Sequence, residues 1–109
     1  MAANKYGNVW TEYNGVKYQS KKEANYAREL DLRVRAHDID RYERQVRFPI
    51  AMNDVKICTY VCDFVVYDKN GVSYIDVKGY RNPNDAAYKM YLLKKKLVKA
   101  FYGIELQEV

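Results

Sequence analysis

The tripeptide Asp76-Val77-Lys78 puts a carboxylate and an ammonium on one side of a strand. Side chains alternate along a strand, so Val72, Tyr74, Asp76 and Lys78 share one face and Ser73, Ile75 and Val77 the other. Asp63 lies inside the apolar run from Ile57 to Val66, on the face of Val61, Val65 and Tyr67. Glu23 stands on an upstream helical pattern, in line with Ala27 and Leu30, so this third acid points toward the core and needs compensation there. Clustered carboxylates hold a hard cation such as Mg²⁺, with substrate phosphate and water completing its shell. Such a cation polarises a phosphoryl group and lowers the pKa of bound water, and a neighbouring lysine offsets developing negative charge. The chemistry that fits the set is phosphodiester hydrolysis. An isolated Asp-X-Lys is more often a surface pair, but aspartates embedded among Ile, Val and Phe are uncommon without a partner.

The turn between the two strands decides whether the acids meet. With Asn70-Gly71 as a two-residue loop, Asp63 faces Lys78 and Val65 faces Asp76. With Lys69-Asn70 as the turn and Gly71 as a bulge, the register moves by one and Asp63 points away. Glu23 also completes a capping box, Ser20-Lys21-Lys22-Glu23, a role compatible with a place in the site.

Around these residues the sequence predicts one α/β domain over 1–109. It comprises an arm over 1–8, a β-hairpin over 9–19 turning at Asn14-Gly15, and a core over 20–109. The first helix runs from Ser20 to about His37 with Ala24, Ala27, Leu30 and Val34 as its stripe. Strands follow at Arg41 to Ile50, ended by Pro49, then at Lys56 to Tyr67 and Val72 to Lys78. A second helix is expected from Pro83 or Asp85 to Ala100, with Asn82 as N-cap and a stripe of Ala86, Met90, Leu93, Leu97 and Phe101. Gly103 ends it and Ile104 to Val109 is the last strand, giving a mixed sheet with helices packed on it.

Composition bounds the function. At 109 residues, 49% hydrophobic and 30% charged, the chain reads as globular. No apolar stretch approaches the roughly 20 residues of a membrane span and no leader pattern opens it, so a cytoplasmic protein is expected. Cys58 and Cys62, four apart on one strand face and about 13 Å from each other, are beyond disulfide reach and read as core residues. The net charge of +5 is compatible with nucleic acid. Lys89 and Lys96 on one side of the second helix, Arg81 and Tyr88 before and at its start, and Lys21 and Lys22 on the first helix are candidate DNA contacts. The twelve tyrosines fall mostly at alternating or helical spacing, where a half-buried ring suffices.

Asp63 followed after twelve residues by Asp76-Val77-Lys78 resembles the PD-(D/E)XK nuclease signature, with Glu23 matching the acid many members carry on their first helix. Cys62 stands where that signature has proline. The segments Lys5-Tyr6-Gly7-Asn8, Thr11-Glu12-Tyr13-Asn14-Gly15, Ser20-Lys21-Lys22-Glu23-Ala24 and Tyr74-Ile75-Asp76-Val77-Lys78-Gly79 look like a family of small phage-encoded nucleases. The resemblance implies a restriction-endonuclease-like αβββαβ core and Mg²⁺-dependent DNA cleavage, with Mn²⁺ able to substitute. It also implies catalytic positions at Glu23, Asp63, Asp76 and Lys78, the three acids holding metal, and an auxiliary place for Gln45. Similarity in size and layout to Holliday-junction resolvases implies a homodimer acting on branched DNA in a host cell, by analogy of fold.

Overall fold

Asn14 and Gly15 both take positive φ, 53° and 78°, as a two-residue hairpin loop between right-twisted strands requires. They join β1 (Thr11–Tyr13) to β2 (Val16–Tyr18), antiparallel with Thr11 opposite Tyr18. The structure is a computed structural model and describes residues 10–78 and 82–109. The expected arm over 1–8, Val9 and Arg81 fall outside the described residues. The chain divides into two compact units, Met1–Asp40 and Arg41–Val109.

In the first unit, α1 (Lys21–Arg35) follows the hairpin. Ser20 has extended backbone and its hydroxyl accepts the Glu23 N–H at 3.1 Å, the N-terminal half of the expected capping box. Ala24, Ala27 and Leu30 are buried as their spacing predicts. The Tyr13 hydroxyl donates to Asp31 on the helix, tying hairpin to helix within this unit.

The second unit is a four-stranded mixed sheet in the order β3-β4-β5-β6 with one helix. Its strands are β3 (Arg41–Met52), β4 (Val55–Asp68), β5 (Gly71–Asp76) and β6 (Leu106–Glu108). The expected mixed α/β class is thus observed, with the N-terminal hairpin and a helix in each unit. β5 and β6 are parallel and joined through α2 (Ala86–Tyr102). Gly103 at φ 70° ends α2 by a left-handed cap, as expected.

Three local readings are corrected. β3 continues through Pro49 to Met52, which is possible because β3 is an edge strand and the missing N–H costs no central ladder bond. α2 begins at Ala86 with Asp85 as N-cap, because the Asn82 side chain instead accepts the Asn84 N–H and closes a turn around Pro83. The stripe on α2 that meets the sheet is also a different one. Tyr91 and Val98 are buried, Tyr88 packs beside them, and Tyr102 reaches the Phe48 ring, while Met90, Leu93 and Phe101 are exposed. Tyrosine rings 88, 91 and 102 recur at helical spacing and reach further across the sheet than the aliphatic stripe does.

The β3–β4 register shifts between Ile50 and Ala51, and a second irregularity lies nearer the middle of the two strands. Val46, Phe48, Ile50, Cys58, Tyr60 and Cys62 belong to the core under α2, and the same cluster continues with Val65 and Tyr67, not with Phe64 and Val66. Face alternation therefore slips by one between Cys62 and Val65, and Phe64 turns to the other face, edge-on to Tyr42. Arg44 pairs with Phe64 and Val46 with Cys62, so Gln45 and Asp63 are left between two regular stretches. Gln45 takes φ 53° there, a left-handed value for a residue with a side chain, and costs on the order of 1–3 kcal/mol.

Candidate functional site

The second irregularity falls at the acids. β4 and β5 turn at Lys69-Asn70, with Asp68 paired to Gly71. Their regular pairing runs to Phe64 opposite Ile75, which leaves Asp63 across from Asp76, not from Lys78. Val65 faces Tyr74 instead of Asp76. The Asp68 carboxylate accepts the Asn70 N–H at 2.7 Å, so an Asx turn wins over the Asn-Gly loop. The register shifts by two residues from the expected one, which preserves the face, and Asp63 does not point away.

The two acids brace each other. The Asp63 N–H lies 3.3 Å from one oxygen of Asp76, and the Val77 N–H donates to Asp63 at 2.9 Å. The second Asp76 oxygen accepts the Tyr60 hydroxyl. Asp76 is only 2% exposed, so both oxygens depend on these donors in place of water. Burial and then the Asp76 charge push the Tyr60 phenol far above its ordinary value, which keeps it a proton donor to Asp76. Asp63 is half-buried. Burial raises its carboxyl above the usual range and the Asp76 charge adds to this, while the Val77 N–H, Lys78 and Gln45 pull the other way. The Gln45 amide lies 3.5 Å from Asp63, a long contact that the strained Gln45 backbone directs across the ladder.

Lys78 continues beyond β5, its N–H bonded to the Val109 carbonyl at 3.0 Å. Its ammonium sits 3.7 Å from the centre of the Tyr91 ring, a cation–π contact of about 0.5–2 kcal/mol. Tyr91 in turn stacks on Tyr88. Asp63, Asp76 and Lys78 are therefore gathered in the second unit, whereas Glu23 is buried in the first, in the opening turn of α1.

The candidate DNA contacts fare unequally. Lys89 and Lys96 are exposed on α2, and Lys21 and Lys22 are exposed at the start of α1. Tyr88 is turned inward, with its hydroxyl donating to Glu108 at 3.2 Å, so its ring is a packing element more than a stacking platform. Cys58 and Cys62 are free thiols, and burial pushes Cys62 up to about 12, consistent with an inert core residue. Sequence reasoning missed Tyr60 and Tyr91, which contact Asp76 and Lys78. Tyr60 was detectable in principle, since it shares a face with Cys62 immediately before Asp63; Tyr91 depends on how α2 is rotated over the sheet.

Among the described residues no group of three His, Cys, Asp or Glu is placed to hold a metal. Two carboxylates are nevertheless a sufficient protein contribution for Mg²⁺, which keeps several waters and takes phosphate oxygens as further ligands. Each oxygen of Asp63 and Asp76 retains acceptor capacity beyond its present donor. The donor set thus fits a hard cation with its phosphate and water.

The fold and site together define a mixed α/β protein with a braced pair of aspartates and a lysine on one sheet face. The chain belongs to the DUF1064 family, described as a protein of unknown function, whose model matches residues 3–108. No curated protein and no solved structure matches it. Among the described residues, no helix is long and apolar enough to cross a membrane.

Proposed function

We propose that this protein is a metal-dependent deoxyribonuclease that hydrolyses phosphodiester bonds, with Asp63, Asp76 and Lys78 as the centre of its site. The observation that carries the reading is the mutual bracing of two acids at a break in the sheet. A buried Asp76 held by a phenol and a backbone N–H is costly for a fold that needs only a core. Asp63 and Asp76 would hold Mg²⁺, with Mn²⁺ as a substitute. When bound, the cation supplies phosphoryl polarisation and a water of lowered pKa.

The chain's own groups do the rest. Tyr60 and the Asp63 N–H fix the Asp76 carboxylate, and the Val77 N–H fixes that of Asp63, so both are oriented before substrate arrives. The Lys78 ammonium orients the attacking water by donating to its oxygen and offsets charge growing on the phosphate oxygens. Exposed Lys89 and Lys96 on α2 contact flanking phosphates, and Lys21, Lys22 and Arg81 extend the candidate set. The resemblance adds Glu23 as a third acid and Gln45 as an auxiliary group. It also suggests a homodimer selective for branched DNA.

The deciding experiment offers linear, nicked, flapped and four-way-junction DNA with Mg²⁺, Mn²⁺ or EDTA. Cleavage with either metal but not with EDTA is expected, strongest on branched substrates. Asp76→Ala is expected to abolish cleavage with DNA affinity retained. Absence of cleavage on every substrate with both metals would end the enzyme reading. DNA binding under those same conditions would leave a non-catalytic DNA-binding protein as its replacement.

A further inference from the structure

Tyr91 is only 7% exposed, yet its hydroxyl is buried without a hydrogen-bond partner. A phenylalanine would fill the same volume without that desolvation penalty. The hydroxyl lies beside the Asp76 carboxylate at the margin of hydrogen-bonding geometry, and burial first and then that charge raise the phenol. That carboxylate already accepts the Tyr60 hydroxyl and the Asp63 N–H. The ring of the same residue lies under the Lys78 ammonium at 3.7 Å. One side chain thus touches the site in two ways. The π-face supports its cation, and the hydroxyl stands beside its most buried acid without a well-formed hydrogen bond.

The ring is well placed to fix a lysine. Lys78 follows the end of β5, and its flexible stem would otherwise leave the ammonium to sample solvent. Tyr91 is held by its neighbours: it stacks on Tyr88 at 5.9 Å, and the Tyr88 hydroxyl is anchored on Glu108, next to the strand end that pairs with Asp76. The support beneath Lys78 is therefore rigid, as precise placement of a reacting group requires.

We propose that Tyr91 is a positioning residue of this site, its ring seating the Lys78 ammonium and its hydroxyl donating to an oxygen of the bound phosphate or of the attacking water. The proposal rests on the nuclease reading and assigns to that site a group which neither the acidic signature nor the lysine predicts.

The test compares Tyr91→Phe and Tyr91→Leu in the full chain. In the wild type, the side-chain protons of Lys78 next to the ammonium should resonate upfield of the random-coil position because of the ring current. Tyr91→Phe should keep that shift, and Tyr91→Leu should abolish it. Because the hydroxyl makes no well-formed hydrogen bond in the substrate-free protein, Tyr91→Phe should melt close to the wild-type temperature. It should nonetheless cleave DNA more slowly, by about 10-fold, with Tyr91→Leu slower again, by about 100-fold. A merely structural hydroxyl would give the reverse pattern, a lower melting temperature with unchanged cleavage, and would overturn the proposal. An unshifted Lys78 in the wild type would overturn the seating of the ammonium even if Tyr91→Leu fails to fold. If the wild type cleaves and both variants match it, the role of Tyr91 falls and the nuclease reading stands. If the wild type cleaves nothing, both fall.

Discussion

Each unit of the protein buries one carboxylate, Glu23 at 7% exposure and Asp76 at 2%, and the two are accommodated in different ways. Glu23 lies in the first turn of α1, where unsatisfied N–H groups and the helix dipole favour negative charge. Its own N–H is taken by Ser20, and the backbone around it is the ordinary start of a capped helix. Asp76 ends a strand, where no helix dipole assists. Its donors come from Tyr60 and from the N–H of Asp63, both on the neighbouring strand. Burial of an acid at a helix start thus has a contributing local cause, whereas burial at a strand end has to be built by tertiary contacts. The same observation therefore supports a functional site more strongly at Asp76 than at Glu23.

The sharpest way to break that contrast is to neutralise each acid without changing its shape. Asp76→Asn is expected to slow DNA cleavage on the order of 10³-fold, equivalent to about 4 kcal/mol of barrier. Glu23→Gln keeps the length of the side chain and should cost less, about 10-fold. An equal loss in both variants, read from single-turnover cleavage with saturating Mg²⁺, would make Glu23 a full partner in the chemistry and erase the distinction. Tyr60→Phe probes the tertiary support itself. It leaves the buried Asp76 oxygen without its donor and should destabilise the protein by about 2 kcal/mol, measured by urea unfolding. If Tyr60→Phe unfolds at the wild-type midpoint, Asp76 is not held as described.

The same division separates what could be read from the sequence from what could not. The Asn14-Gly15 hairpin, the Ser20 cap and the stripe of Ala24, Ala27 and Leu30 are set by neighbours a few residues apart, and they appear where expected. Parity put Asp63 and Asp76 on one face only for particular turn registers, and the turn that forms is not the expected one. Whether Asp68 or Asn70-Gly71 dominates the turn is a competition between local hydrogen bonds of similar strength, and it moved the partner of Asp63 by two residues. The working face of α2 was also hidden. Two apolar stripes lie on that helix, and only the sheet beneath selects Tyr91 and Val98 over Met90 and Leu93. Nothing in the residue type announces the left-handed backbone of Gln45, which comes from the change of face at Asp63.

Two smaller effects refine the comparison. Ser20→Ala removes the local support at Glu23 and should cost about 1 kcal/mol, again by urea unfolding. A loss as large as that of Tyr60→Phe would mean that Glu23, like Asp76, depends on more than its helix. Asp63 stands between the two cases, half-buried and held partly by the Val77 backbone N–H. Burial raises its carboxyl above the unfolded value of 3.8, so the folded protein binds this proton at a pH where the unfolded chain has released it. Stability linked to Asp63 therefore falls as pH rises from the unfolded value through the raised folded one, and is level above it. Asp63→Asn removes that penalty while keeping an oxygen to accept from Val77. Its stability relative to wild type, followed in EDTA by urea midpoints, should increase as pH rises across that window and then stay constant. A difference that does not change with pH would mean that the Val77 N–H, Lys78 and Gln45 fully offset burial, and Asp63 would then be supported as completely as a carboxylate at a helix start.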